Sequence, residues 1–428
     1  MDVLIGGQRG TLTTQIGDGG EGEVYEHPWE PDQYVKIVHA PTSEFAERIA
    51  AMVNNPLRLP MNAPFRVAWP IEEVCRVDGT LCGFTMNAEQ EAMDLDQVMA
   101  ADTAISIPFL VRIALNFTWM VDELIGTNCI PVDVHPQNVL VNRDGSVVAI
   151  DVDSFQVELQ GRNFRSAAAI DRFLAAELHG LDLHTINRKP AHVHFGVAVV
   201  LFMLFSRRTH PFACQWKGPG RSPGAVGCIR AGKWPYSPKY NDVAPPRNAP
   251  PFAALPSNIQ NLFQLAFEVG HGDPMARPTM ADWCVALRSL DIGCDVTIDH
   301  ATWEDLRSGK SSPPRNQRAQ TVRAKPQRHR PKRVLSHAAA ASLLAVGLGG
   351  SILAYKVVGA ARAAVPIDEA YSYVRNMPRG SVSMPDLPLV DALPRSTEPS
   401  HPKGPPDDPL LWDLLRDRDT QEQEGEFI

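Results

Sequence analysis

Near residue 106 the apolar pattern of this chain changes its period, and that change limits what the chain can fold into more than any other feature. Over roughly residues 10–90, β-formers alternate with glycines. Residues 11–16 and 23–26 read as two strands across a glycine-rich turn, residues 33–38 as a third, and residues 65–86 as two more broken at Asp78-Gly79. One short helix fits residues 43–53, where Phe45, Ile49 and Met52 share a face. From Ser106 and Pro108, a helix-start signal, Leu110, Ile113, Ala114, Phe117, Met120 and Leu124 recur at helical spacing. The expected architecture is therefore α+β: a small, mostly β lobe of about residues 1–90, then a mainly helical lobe of about residues 91–295. Residues 195–205 are apolar on every side but too few to cross a bilayer, which takes about twenty, so they read as a buried central helix. Later helices carry their own start signals, Ser257 before the run 259–267 and Thr279-x-x-Asp282 before the run 283–287. Globular patterning fades after these, and the folded part is expected to end near residue 295.

The remainder has a different composition. Residues 296–333 hold Arg315, Arg318, Arg323, Lys325, Arg328, Arg330, Lys332 and Arg333 among Ser, Pro and Gln, the signature of a disordered basic linker. Residues 334–355 then run without Asp, Glu, Lys or Arg, long enough for one transmembrane helix. An Ala/Gly-rich soluble or interfacial helix is the alternative, because Ala and Gly contribute little to insertion and His337 weakens one end. The basic cluster on the N-terminal side orients such a span with the first domain in the cytoplasm, making a single-pass protein of the cell membrane. Residues 356–428, rich in Pro, Asp and Glu, are expected to be a largely disordered extracytoplasmic tail. The N-terminus lacks the basic and apolar regions of a secretory signal. The seven cysteines form no C-x-x-C pair and read as reduced thiols. A formal charge of -8 argues against nucleic-acid binding.

Two motifs carry chemistry. Gly17-Asp18-Gly19-Gly20-Glu21-Gly22-Glu23-Val24 has the form G-x-G-x-x-G-x-V, which alone also fits a dinucleotide-binding turn or a plain glycine-rich hairpin. Context favours a strand-turn-strand lid over phosphates: the glycines lead into another strand rather than a helix, and Lys36 follows on the next strand, placed to reach the α and β phosphates. A surface lysine is the plain alternative. The second motif is Asp133-Val134-His135-Pro136-Gln137-Asn138, with Asp151 thirteen residues after Asn138 in Ile150-Asp151-Val152-Asp153-Ser154-Phe155. Phosphoryl transfer needs an acceptor for the substrate hydroxyl proton, which Asp133 matches, and oxygen ligands for magnesium, which Asn138 and Asp151 match.

At this point residues 10–290 resemble the protein-kinase superfamily, and within it a divergent bacterial group with catalytic loops of the form D-x-x-x-x-N-V-L-V and I-D-x-D-S-F-Q. The resemblance implies a two-lobed kinase-like fold that binds ATP and Mg²⁺. It implies an ATP cradle of Gly17, Gly19, Gly22 and Val24 with Lys36, catalysis by Asp133, and metal ligation by Asn138 and Asp151. It further implies a structural pair between Glu177, at the end of Ala175-Ala176-Glu177, and Arg277 of Arg277-Pro278-Thr279. Glu47 is the expected carboxylate partner of Lys36, with Glu44 as the alternative. Such kinases are often paired with phosphatases and von Willebrand-type proteins, so the resemblance implies partners of those kinds beside a protein substrate.

The chain departs from the family pattern in several places. The usual His-Arg before the catalytic aspartate is Pro131-Val132, the usual lysine after it is His135, the D-F-G triplet is Asp151-Val152-Asp153, and Val193 replaces the aspartate that anchors the catalytic loop. Asp153 is either an added metal ligand or a helix-start residue. Without an arginine at 132, a phosphate on Ser154 or Ser166 has no fixed partner unless a small-lobe cation supplies one, so control by loop phosphorylation is not expected. The leading expectation is a membrane-anchored serine/threonine protein kinase. A nucleotide-binding pseudokinase scaffold and a small-molecule phosphotransferase are the alternatives.

Overall fold

The computed structural model describes residues 1–101, 105–290 and 296–308. The expected span at 334–355, the tail at 356–428 and most of the basic linker lie outside the described residues, among which no helix is long and apolar enough to cross a membrane.

The small lobe is built on β1 (Asp2–Ile5), β2 (Gln8–Thr11), β3 (Gln15–Asp18), β4 (Gly22–Glu26), β5 (Gln33–Val38), helix α1 (Ser43–Asn54), β6 (Phe65–Val67), β7 (Glu73–Arg76) and β8 (Leu81–Asn87). Seven of these strands form one antiparallel sheet in the order β2-β1-β7-β8-β5-β4-β3. The N-terminal hairpin β1-β2 was not anticipated; its residues add Val3 and Ile5 to a core with Leu12, Val35, Ile37, Val74 and Cys82. Because strand side chains alternate faces, Lys36, between Val35 and Ile37 on β5, points the other way, and Phe84, its partner across the β5-β8 ladder, joins the second core that runs into the large lobe. Thr42 caps α1 by accepting from Phe45 N at 3.1 Å, and Ile49 and Met52 on its inner face are fully buried. Strand β6 leaves the small-lobe sheet altogether and pairs in parallel with a large-lobe strand.

The large lobe begins at β9 (Met93–Asp94), α2 (Leu95–Ala100) and α3 (Ile107–Gly126), the last capped by Ser106. Next come β10 (Cys129–Ile130), β11 (Val139–Val141), β12 (Val147–Ala149), β13 (Gln156–Leu159) and β14 (Arg162–Phe164). β12 receives β6 in the sheet β6-β12-β11-β9, while β13 and β14 make a hairpin against β10. Helix α4 (Pro190–Phe205) is the apolar central helix, buried along nearly its whole length. Strand β15 (Gln215–Trp216), α5 (Gly224–Arg230) and β16 (Val243–Ala244) lead to α6 (Ser257–Gln264), which continues through a π turn, and to α7 (Met280–Arg288). The capping box of Thr279 and Asp282 starts α7, each side chain meeting the other residue's backbone.

The packed body does not stop at residue 295. Helix α8 (His300–Arg307), capped by Asp299, inserts Trp303 fully into the core, edge-on to Phe109 at 6.2 Å, with its indole N–H donating to Glu91 O at 2.7 Å. One tryptophan outweighs the polar composition of this segment, which is why patterning alone missed it.

The structure brings Glu177 and Arg277 together. Arg277 Nη1 and Nη2 donate to Glu177 Oε1 and Oε2 at 2.7 and 2.8 Å, Nη1 also donates to Ala191 O, and the guanidinium lies over Phe195. Its stem needs Gly270, where a Cβ would come within 2.4 Å of Arg277 Cγ. Arg277→Ala should therefore cost about 3 kcal/mol, since it strands a largely buried carboxylate. Burial pushes the Glu177 carboxyl up, but the hydrogen bonds and charge of Arg277 outweigh it and hold it below the ordinary value of 4.5. The pair's contribution is then complete above that pH and fades below it. Thermal melts should show a wild-type advantage that narrows as pH falls under about 4.5; a constant gap would contradict the pair.

Candidate active site

The glycine turn joins β3 to β4, and Gly19 N donates to Gly22 O at 2.9 Å to close it. Its glycines do different jobs. Gly22 is buried, and a Cβ there would lie 2.3 Å from Ile37 O, so it answers to the close pairing of β4 with β5. Gly17 and Gly19 have room around them and line the turn itself. Val24 stands across from Lys36 in the β4-β5 ladder. Lys36 is buried, with its ammonium 5.9 Å from the Phe84 ring centre.

Lys36 Nζ meets two carboxylates from the loop after β12: it hydrogen-bonds Asp151 Oδ1 and, at 2.6 Å, Asp153 Oδ1. Asp151 has φ 61° and ψ 39°, a left-handed conformation that costs a non-glycine residue about 1 kcal/mol or more and is held by the surrounding contacts. Its carbonyl accepts from Ser154 N and from Ser154 Oγ at 2.7 Å. Burial alone would lower the Lys36 pKa, but Asp153 and then Asp151 raise it above the ordinary lysine value. Burial pushes the Asp153 carboxyl up, Lys36 pulls it down, and Asp151 pushes it up again, for a net rise. Two carboxylates against one ammonium leave an excess negative charge in a poorly solvated place. Glu21, from the glycine turn, adds to the imbalance: its carboxyl is raised by burial and then by Asp151.

Asp133 lies on the loop before β11. Its Oδ1 is buried without a partner, and its Oδ2 is 3.6 Å from His135 Nε2. His135 Nδ1 accepts from Gln137 N at 3.3 Å, so the proton of the neutral ring sits on Nε2, facing Asp133. Asn138 donates from Nδ2 to Asp133 O at 3.1 Å, leaving its amide oxygen as an acceptor, while its carbonyl receives Ile150 N and so ties this loop to Asp151. Asp133 and Asp153 both line a cleft of about 700 Å³ with Glu21, His39, Arg48, Arg165 and His184.

The expected partner of Lys36 is placed elsewhere. Glu47 is exposed and pairs with Arg162 on β14, and Glu44 is also exposed. The reason is helical phase: Glu47 lies two residues from both Phe45 and Ile49, about 200° round the helix from the face that packs inward. Arg48 shares the inward side instead, donating from Nη1 to Asp153 O and from Nη2 to Arg165 O, each at 2.5 Å. Sequence reasoning passed over Arg48 and Glu21. An arginine in phase with the apolar stripe, and a carboxylate among phosphate-lid glycines, were the available signals. Val132 and Val193 meet in a small cavity under the catalytic loop, which Arg188 also lines.

These residues suit magnesium and a nucleotide. The carboxylate oxygens of Glu21, Asp151 and Asp153 lie within 4.8 Å of one another, an all-oxygen donor set with excess negative charge, as a hard divalent cation requires. Asp151 and Asn138, with Asp153, would hold the ion, and Lys36 and the glycine turn would meet the phosphates.

No family model matches the chain. Protein kinase YegI of Escherichia coli K12 is 27% identical over 295 residues, covering 66% of this chain and 45% of that protein. The protein of the same name in Escherichia coli O157:H7 is 26% identical over 287 residues, covering 64% and 44%. The chain thus spans less than half the length of the curated relatives it matches.

Proposed function

The chain is related to a divergent bacterial protein kinase-like family, and from that premise we propose that it transfers the γ-phosphoryl group of ATP to a Ser or Thr hydroxyl of a protein substrate. The observation that carries this reading is the meeting of Lys36 with Asp151 and Asp153, the last of which lines a cleft together with Asp133. Asp133, on the cleft wall, accepts the hydroxyl proton, with His135 Nε2 3.6 Å from its Oδ2. Lys36 steadies the nucleotide phosphates, and Asn138 and Asp151 orient the metal. When bound, Mg²⁺·ATP supplies the phosphoryl group and neutralises its charge. The pseudokinase reading draws on the valines at 132 and 193, which leave the catalytic loop without the ionic anchor the resemblance implies.

Incubating the full chain with γ-labelled ATP and candidate proteins separates the two. Asp133→Asn should lower transfer by about 10²-fold or more while keeping ATP affinity. Equal transfer by wild type and variant would refute the role of Asp133; tight binding with no transfer by either would favour the scaffold.

We also propose that residues 334–355 anchor the chain in the cell membrane with residues 1–333 inside, on the support of their uncharged composition and basic flank. Protease added to intact spheroplasts should then trim only the residues after the span. A protein left uncut and extracted by carbonate would contradict it.

A further inference from the structure

Arg48 is a cation on a helix face that the rest of α1 gives to the core. Its guanidinium is largely removed from solvent, which lowers its pKa, and Nε is buried without a partner. Its two strong hydrogen bonds go to main-chain carbonyls, Asp153 O and Arg165 O, which bracket the β13-β14 hairpin. A charged side chain held on two backbone oxygens at 2.5 Å fixes backbone position rather than balancing charge. One of those oxygens belongs to the residue whose carboxylate grips Lys36. On its outer side α1 adds the Glu47–Arg162 pair, which is exposed and therefore weak.

We infer that Arg48 and Asp153 are positioning residues that form a relay between α1 and Lys36: Arg48 sets the backbone of Asp153, and Asp153 sets the ammonium. This rests on the kinase reading. The link between α1 and the nucleotide lysine, which the resemblance assigns to one carboxylate on α1, is made here through the loop after β12. Displacing α1 moves Asp153 and so loosens Lys36. The same clamp holds both ends of the 153–165 segment without any phosphate. Ser154 and Ser166 are buried, 4% and 7% exposed, so a modifying enzyme could not reach them without first opening the segment.

The relay is read on Lys36 itself, without nucleotide, by the rate at which an amine-reactive acylating reagent labels it in the full chain, followed by mass spectrometry. A buried lysine side chain held against two carboxylates is closed to the reagent until that hold loosens. Asp153→Asn should speed labelling by about ten-fold or more, because one of the two groups that hold the lysine is gone. Arg48→Met should speed it by about three-fold or more, and the double variant should be no faster than Asp153→Asn, because the two act in series. Glu47→Gln should label as wild type. Should Arg48→Met fail to fold, Arg48→Lys keeps the charge but cannot bridge two carbonyls and is read in the same way. Wild-type labelling in a folded Arg48 variant, or effects that multiply in the double variant, would overturn the relay. The predicted labelling pattern in a chain that never transfers phosphate would uphold the relay and overturn only the kinase reading.

Discussion

A buried ammonium shared by two carboxylates organises this molecule. Lys36 comes from the small-lobe sheet, Asp151 and Asp153 from the large-lobe loop after β12, and their meeting joins the lobes at the cleft. Each of these charges would be expensive alone in so little water, and each is tolerable because of the others. The balance is incomplete, with Lys36 and the nearby Arg48 facing Asp151, Asp153 and Glu21. A site with a standing excess of negative charge and only oxygen donors has a use for a divalent cation, and a cation bound there would free Lys36 to turn toward phosphate.

The rest of the fold serves to hold these groups still. The small lobe sets Lys36 by strand alternation, with Val35 and Ile37 locked into one core and Phe84 beneath the lysine stem. The β6-β12 pairing and Trp303 tie residues distant in sequence to the floor of the large lobe. Beneath the loop that carries Asp133, Val132, Val134 and Val193 line a small cavity together with the buried Arg188. The Glu177–Arg277 pair keeps its ionic form.

Much of this was legible in the sequence, for identifiable reasons. The switch of period near residue 106 follows directly from burial on one face of a strand or helix; the patterning placed α1, β5 and α3 within a residue or two, and it found α4 but started it five residues late, since Pro190 opens the helix ahead of the apolar run. Asp133, Asn138 and Asp151 sit on neighbouring loops because the short β11-β12 hairpin leaves little freedom between them, Asn138 bonding both Asp133 O and Ile150 N through its side chain and its carbonyl. What stayed hidden depended on tertiary geometry. Glu47 was chosen for its charge and position along the chain, whereas its phase about the helix axis sends it to Arg162. Helix α8 rests on one buried tryptophan in a polar stretch, and the β13-β14 hairpin on pairing with β10, contacts that no local pattern announces. Asp153 was left between metal ligand and helix start; its carboxylate meets Lys36, and it lies in the middle of the 3₁₀ turn Val152–Ser154, which starts after Asp151.

If the excess charge around Lys36 is the central feature, nucleotide should bind well only together with a divalent cation. The most direct measurement is a calorimetric titration of ATP into the full chain, once with Mg²⁺ and once with the metal chelated. The account predicts affinity at least about ten-fold higher with Mg²⁺, a difference of about 1.4 kcal/mol, and loss of that difference in Asp151→Asn. Equal affinity with and without the metal would contradict it.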